Sequence, residues 1–179
     1  MNIHPTNLEG VFEIENNKFE DHRGLFVKTF HWDTFADHGL ETGFKESFYS
    51  ISKKNVLRGM HFQLSPHDHA KLVYVTAGEI LDVVVGIRRD SPEFGKYFSA
   101  VLSHENAKSM YIGKGYAHGF LTFSDTATVV YLTSTVHAPE FDTGIRWDSF
   151  GFDWPISDPV LSNRDNGLIP LPNFRSPAH

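Results

Sequence analysis

The sequence predicts an all-β sandwich or barrel, and three observations carry that prediction. Short runs rich in β-branched and aromatic residues dominate the chain. Gly, Pro, Asp, Asn and Ser punctuate the intervals between them. A single segment has a convincing helical pattern. The strand runs are Gly-Val-Phe-Glu-Ile-Glu at 10–15, Leu-Phe-Val-Lys-Thr-Phe at 25–30, Lys-Leu-Val-Tyr-Val-Thr at 71–76, and the stretches 79–87 and 127–135. Ala77-Gly78 and Asp90-Ser91-Pro92 mark two of the breaks. Residues 32–38 form the helical pattern, with Gly39 placed to end it. From Trp154 onward the chain is polar and proline-punctuated, which excludes a central strand and predicts a segment wrapping the surface or the barrel mouth. At 179 residues the chain is sized for one domain, 1–179, with the segment 154–179 appended to it.

Composition removes several function classes. The chain has no cysteine, so disulfide scaffolds and thiolate metal sites are excluded, and a cytoplasmic setting fits. No apolar run reaches the roughly 18 residues of a membrane span, and the first residues lack the pattern of a signal peptide. A formal charge of −6 argues against a nucleic-acid surface, although a few arginines can still grip a diphosphate. Of eleven histidines, His4, His31, His38, His104 and His179 fall in loop-like stretches and read as solvated surface.

The densest run of reactive side chains is Val56-Leu-Arg-Gly-Met-His-Phe-Gln63. Strand alternation places Leu57, Gly59, His61 and Gln63 on one face, with Arg58, Met60 and Phe62 on the other. His61 then reads either as an inward base or as a hydrogen-bonded core histidine. Lys71 opens the next strand run and reads equally as a solvated edge charge. In Gly115-Tyr-Ala-His-Gly-Phe120 small residues flank His118, as a close ligand or a simple turn would require. Tyr131 shares a face with Val129 and Thr133 and alone would read as core packing. Together, His61, Lys71, His118 and Tyr131 suit proton abstraction beside a carbonyl: a base, a cation for the enolate oxygen, and a phenol acid. His67-Asp68-His69 has the i, i+2 spacing of a metal motif. The carboxylate such a motif needs is missing from Ala70-Lys-Leu-Val-Tyr74, so no metal and no cofactor is expected.

These segments resemble the dTDP-4-dehydrorhamnose 3,5-epimerase family. Arg23-Gly24, Asn55–Gln63, Lys71-Leu-Val, Gly78-Glu79, Asp82-Val, Ile87–Pro92, Phe94-Gly95, Gly115–Phe120, Trp147 and Asp153-Trp-Pro155 recur in its order and spacing over about 9–166. The resemblance implies a cupin jelly-roll β-barrel with a few short helices, a homodimer, no cofactor, and a nucleoside-diphosphate 4-keto-6-deoxy sugar as substrate. It implies His61 as base with Asp165 as its partner, Lys71 on the enolate oxygen, and Tyr131 as acid. Arg23 and Arg58 match diphosphate contacts, and His118, Asp142 and Arg164 match further substrate contacts. Gln63 is grouped with them, and Asp82 is a possible polar partner within the barrel. Exposed apolar residues near the N-terminus (Val11, Phe12, Phe19, Phe26) suit strand exchange or edge pairing in the dimer.

Two stretches depart from the family pattern. Glu46-Ser47-Phe48 stands where the family's nucleoside-binding stretch reads Gln-Asp-Asn, and Lys28 replaces a nearby glutamate. That change predicts CDP or GDP in place of a thymidine nucleotide, because a site built on particular polar partners discriminates strongly when they change. Val136-His137 replaces a tyrosine pair, which points to inversion at one carbon, C3 or C5. The competing readings are a ketoisomerase on similar substrates, a non-catalytic sugar-nucleotide binder, and a metal-dependent cupin oxygenase. Joint presence of His61, Lys71 and Tyr131 argues against the binder, and the missing carboxylate against the oxygenase.

Overall fold

A computed structural model describes residues 1–175; His179 lies outside that range. The described residues form thirteen strands and two short α-helices. In order these are β1 (Asn2–Pro5), β2 (Val11–Glu15), β3 (Asn17–Asp21), β4 (Gly24–Lys28), α1 (Trp32–Asp37), β5 (Glu46–Lys53), β6 (Leu57–Gln63) and β7 (Lys71–Ala77). There follow β8 (Glu79–Gly86), β9 (Tyr97–Ser103), β10 (Lys108–Ile112), β11 (Tyr116–Thr122), β12 (Thr126–Thr133), β13 (Asp142–Gly144) and α2 (Asn163–Asn166). Two antiparallel sheets, β1-β2-β10-β7-β12-β5 and β13-β6-β11-β8-β9, pack face to face as a jelly-roll barrel. β3 and β4 form a separate hairpin.

Strand alternation divides the apolar residues into three layers. Between the sheets lie Val73, Val75, Ile80, Val84, Leu102, Met110, Ile112, Phe120 and Val129. The outer face of the six-stranded sheet (Ile14, Leu72, Tyr111) is covered by Phe35 of α1 with Phe30 and Phe44 in edge-on aromatic contact. α1 starts where His31 accepts the Thr34 N–H through its ring, and ends before Gly39, whose φ of +67° suits glycine. The outer face of the five-stranded sheet (Leu57, Met60, Phe62, Val83, Val85) is sealed by the C-terminal segment through Trp154, Leu171 and Phe174. The segment is therefore a wrap, as its prolines require, and it is pinned by bridges Val56–Val160 and Ile145–Ile169. Among the described residues no helix is long and apolar enough to cross a membrane.

Three expectations are corrected here. His4 lies on β1, and His31 caps α1, so neither is a plain loop residue. Val11 is fully buried between the sheets and Phe12 partly buried, so of these four residues only Phe19 and Phe26 of the hairpin are exposed, each 60%. The alternation read across β6 also fails. His118 of β11 pairs with His61, but Phe120 pairs with Arg58, so β6 spends one extra residue over the same span. This bulge turns Arg58 and His61 to the same face and sends Leu57 to the outer layer. It is possible because Gly59 (φ +137°) crosses Gly119 at a separation no side chain could share. A Cβ on residue 119 would lie 2.6 Å from Met60 Sδ and 2.7 Å from the Arg58 carbonyl oxygen. Gly119→Ala should therefore cost about 1–3 kcal/mol by overpacking, seen as a melting temperature lowered by several degrees. An unchanged melting curve would show that β6 and β11 can separate freely.

Candidate active site

A pocket of about 440 Å³ opens between the two sheets, and its walls are set by alternation on five strands. The six-stranded sheet supplies Glu46, Phe48 and Ser50 from β5, Lys71 from β7, and Tyr131 and Thr133 from β12. The five-stranded sheet supplies Arg58, His61 and Gln63 from β6, and His118 from β11. His61 and Tyr131 thus face each other from opposite walls.

His61 is held from behind by the C-terminal wrap. Ser162 caps α2 by accepting the Asp165 N–H, which points the Asp165 carboxylate back at β6. His61 Nε2–H donates to Asp165 Oδ1 at 2.6 Å, and the Gly59 N–H donates to Oδ2 at 3.2 Å. Burial alone would raise the Asp165 carboxyl, but the His61 bond and charge, with the Gly59 N–H, outweigh it and hold the group below the usual carboxylate range. The arrangement leaves His61 Nδ1 as the ring edge with no protein partner among the described residues.

The opposite wall keeps its phenol protonated. Tyr131 is buried, stacked on Phe48 with ring centres 4.8 Å apart, and its hydroxyl lies 3.3 Å from Ser50 Oγ. Burial pushes its pKa above the ordinary tyrosine value. Lys71 reaches across to donate to the His61 carbonyl oxygen at 3.1 Å. Loss of hydration pulls its ammonium down to about 8, with Asp142 and Asp82 opposing that fall. On the pocket floor, His118 Nε2–H donates to Asp82 Oδ2 at 2.7 Å, a second buried His–Asp pair. At the rim, Asp142 bridges Arg164 (3.0 Å) and His137 (3.2 Å), while the His137 N–H donates to Glu46 at 2.7 Å. Arg58 donates through Nε to Ser52 at 2.8 Å and makes no ion pair among the described residues.

Known proteins resemble this chain over nearly its whole length. The dTDP-4-dehydrorhamnose 3,5-epimerase description matches residues 5–173. The chain is 41% identical over 176 residues to dTDP-4-dehydrorhamnose 3,5-epimerase of Escherichia coli (strain K12), covering 96% of this chain and 95% of the relative. The chain belongs to the dTDP-4-dehydrorhamnose 3,5-epimerase family. It is 34% identical over 178 residues to dTDP-4-dehydrorhamnose 3-epimerase of Streptomyces niveus, covering 98% and 86% of the two chains. Among solved structures, dTDP-6-deoxy-D-glucose-3,5-epimerase of Legionella pneumophila Philadelphia 1, in complex with dTDP-4-keto-L-rhamnose, superposes with a TM-score of 0.92. That pair shares 35% identity, over 97% of this chain and 94% of the other.

For this epimerase-family chain, the fold gathers most of the expected site and separates the rest. His61, Lys71, Tyr131, Asp165, Arg58, Glu46, Phe48, Gln63, His118, His137, Asp142 and Arg164 all lie in or directly behind the one pocket. Ser47 does not: alternation along β5 turns it outward with Tyr49 and Ile51. Arg23 and Lys28 do not either. They sit on the exposed β3–β4 hairpin, and Arg23 pairs there with Asp21. Gln63 lines the pocket, but its amide is committed to the protein: Oε1 accepts the Ala138 N–H at 2.7 Å and Nε2 donates to the His67 carbonyl at 2.8 Å. His69 lines the same pocket and was missed as a site residue, because sequence reasoning weighed it only as half of a metal pair. Its distance of two residues from Lys71 was the available signal. Among the described residues no three His, Asp or Glu side chains are grouped to share an ion.

The depressed Asp165 carboxyl makes a prediction with a definite sign. Its stabilisation is present above the ordinary carboxylate pKa of 3.8 and is lost as pH falls through the lower folded value. Asp165→Asn should cost about 1–3 kcal/mol in urea unfolding at neutral pH. The gap from the unsubstituted chain should narrow below pH 3.8. A gap independent of pH would show that the ionised form is not what stabilises the fold.

Proposed function

We propose that one cupin-type domain uses His61 and Tyr131 as base and acid to invert a carbon beside the carbonyl of a nucleoside-diphosphate 4-keto-6-deoxy sugar. The observation that carries this is their placement on opposing sheets, so that a sugar held between them meets the base on one face and the acid on the other. His61 Nδ1 removes the proton at C3 or C5. The C–H electron pair becomes a C=C bond, and the carbonyl pair moves onto O4, where the Lys71 ammonium stabilises the enolate. Tyr131 then gives its hydroxyl proton to the opposite face of the same carbon, and the C4 carbonyl re-forms. Asp165 fixes the His61 ring and stabilises the imidazolium that the first step creates. Arg58, free of any carboxylate partner among the described residues, suits the diphosphate. The named relatives favour thymidine as the nucleoside over the CDP or GDP expected from Glu46-Ser47-Phe48. Ser47 points away from the pocket and Glu46 is engaged with the rim, so two of those three changes leave the base contacts to other residues.

Proton NMR in deuterated water with dTDP-, CDP- and GDP-4-keto-6-deoxy sugars tests this reading. Deuterium should enter the sugar, and His61→Asn should abolish its entry. Tyr131→Phe should allow exchange without inversion, because the base can return deuterium to the face it left. Asp165→Asn should slow turnover while leaving binding nearly intact. No exchange with any sugar at ample enzyme would overturn the assignment. Label at one carbon only is the result that His137 at the rim favours, and it matches the name of the 3-epimerase relative.

We also propose a homodimer that completes the site. The hairpin exposes Phe19, Leu25 and Phe26, buries nothing of its own, and carries Arg23 and Lys28 away from the pocket of its own chain. β5, whose Phe48 lines the pocket, is an unpaired sheet edge with Tyr49 68% exposed and Ile51 62% exposed. A partner's hairpin laid against this edge covers both apolar surfaces and delivers Arg23 to the diphosphate. Light scattering should give a two-chain particle, and Phe26→Asp should yield monomers with weakened sugar-nucleotide binding. A fully active monomer would contradict it.

A further inference from the structure

Arg58 differs from the other long cations of the pocket in what holds it. Arg164 is paired with Asp142 at 3.0 Å, and Lys71 donates to the His61 carbonyl oxygen at 3.1 Å. Arg58 has no carboxylate partner among the described residues. Its protein hydrogen bond there runs from Nε to Ser52 Oγ at 2.8 Å. The direction of that bond is fixed, because a guanidinium donates and cannot accept. Nη1 and Nη2 have no protein partner among the described residues.

Ser52 is a rigid anchor. It continues the inward row Glu46, Phe48, Ser50 of β5, but it is 2% exposed and takes no part in lining the pocket. It pairs with Ala127 of β12 in the six-stranded sheet, whereas Arg58 pairs with Phe120 of β11 in the five-stranded sheet. The chain crosses between the sheets through Asn55 and Val56, and that crossover is pinned to β11. The Asn55 N–H donates to the Thr122 carbonyl oxygen and the Thr122 N–H to the Val56 carbonyl oxygen, each at 3.0 Å. The Ser52–Arg58 bond thus ties one sheet to the other beside a fixed backbone. Arg58 is exposed, so water could satisfy its Nε–H and burial does not demand the bond. What the bond supplies is orientation: with Nε engaged, the guanidinium plane is held and the Nη pair stays uncommitted.

We propose that Ser52 is a positioning residue for the diphosphate: by accepting the Nε–H it holds Arg58 with Nη1 and Nη2 left for the phosphate oxygens. This rests on the assignment of Arg58 to the diphosphate given above. A long side chain gives up rotamer freedom when it grips a ligand, and one already held gives up less. A planar fork also binds phosphate oxygens in pairs only when its plane faces them. Ser52 therefore strengthens diphosphate binding without touching the ligand.

Calorimetry with dTDP, CDP and GDP tests this without turnover, and the tightest binder of these serves as the probe. Ser52→Ala should weaken its binding about three- to tenfold. Ser52→Thr, which keeps the hydroxyl, should recover most of that loss. Arg58→Met removes the guanidinium and should weaken binding on its own, and in that background Ser52→Ala should add nothing, as a role exercised through Arg58 demands. A serine that merely supports the barrel would cost the same in both backgrounds. That result, or unchanged affinity in Ser52→Ala, would overturn the proposal. If Arg58→Met weakens binding and Ser52→Ala does not, the Arg58 assignment stands and Ser52 alone is removed. If Arg58→Met binds as the unsubstituted chain does, or no nucleotide binds at all, both fall together. Should melting curves show Ser52→Ala unfolded, Ser52→Cys takes its place, since a thiol fills the space and accepts only weakly.

Discussion

The close crossing of Gly59 and Gly119 is the constraint on which the pocket rests. A regular strand would put Arg58 and His61 on opposite faces, one buried in the outer apolar layer, where a guanidinium would be severely penalised. The extra residue at the crossing lets both face the pocket, and it sends Leu57 and Met60 outward to meet Ile145 and Trp154. The same distortion frees the Gly59 N–H from the ladder and aims it at Asp165 Oδ2. One backbone irregularity therefore sets the direction of the proposed base, holds the carboxylate that steadies it, and fastens the C-terminal wrap to the barrel.

Much of the barrel is legible in the sequence because its central strands are half-buried and follow period two. The runs at 71–76, 79–87 and 127–135 appear as β7, β8 and β12, and the helical pattern at 32–38 appears as α1, closed by Gly39. Less legible are the strands that lack a one-sided apolar pattern. β3 reads Asn-Lys-Phe-Glu-Asp and is exposed throughout, so nothing in its own burial marks it as a strand; it is held by pairing with β4. The bulge in β6 is invisible to an alternation argument, since period two assumes the regularity that Gly59 breaks.

The site divides along the same line. His61, Lys71 and Tyr131 sit on strands whose runs are visible in the sequence, and their chemistry taken together singles them out. Asp165 is 104 residues from His61, on a four-residue helix in a proline-punctuated tail. No local pattern announces such a partner, so only resemblance to a family could place it. Gln63 shows the opposite failure: a polar side chain correctly aimed at the pocket, but with both ends of its amide occupied by the rim. Composition locates a polar group, while the satisfaction of its donors and acceptors decides what it can do.

Three pocket histidines illustrate how partners divide labour within one small volume. His61 has a carboxylate behind it and an unpartnered ring edge before it, which suits a group that must gain and lose a proton. His118 has a carboxylate too, but both partners are sealed in the floor, at 4% and 0% side-chain exposure, so the pair is a fixed polar wall. His69 has an amide where the others have a carboxylate, and a neighbouring ammonium that opposes its protonation. A carboxylate in that position would draw a proton onto the ring and set a second cation beside Lys71. Gln63 avoids this: its amide meets the ring without adding charge, which leaves the Lys71 ammonium as the dominant positive charge beside the proposed enolate oxygen.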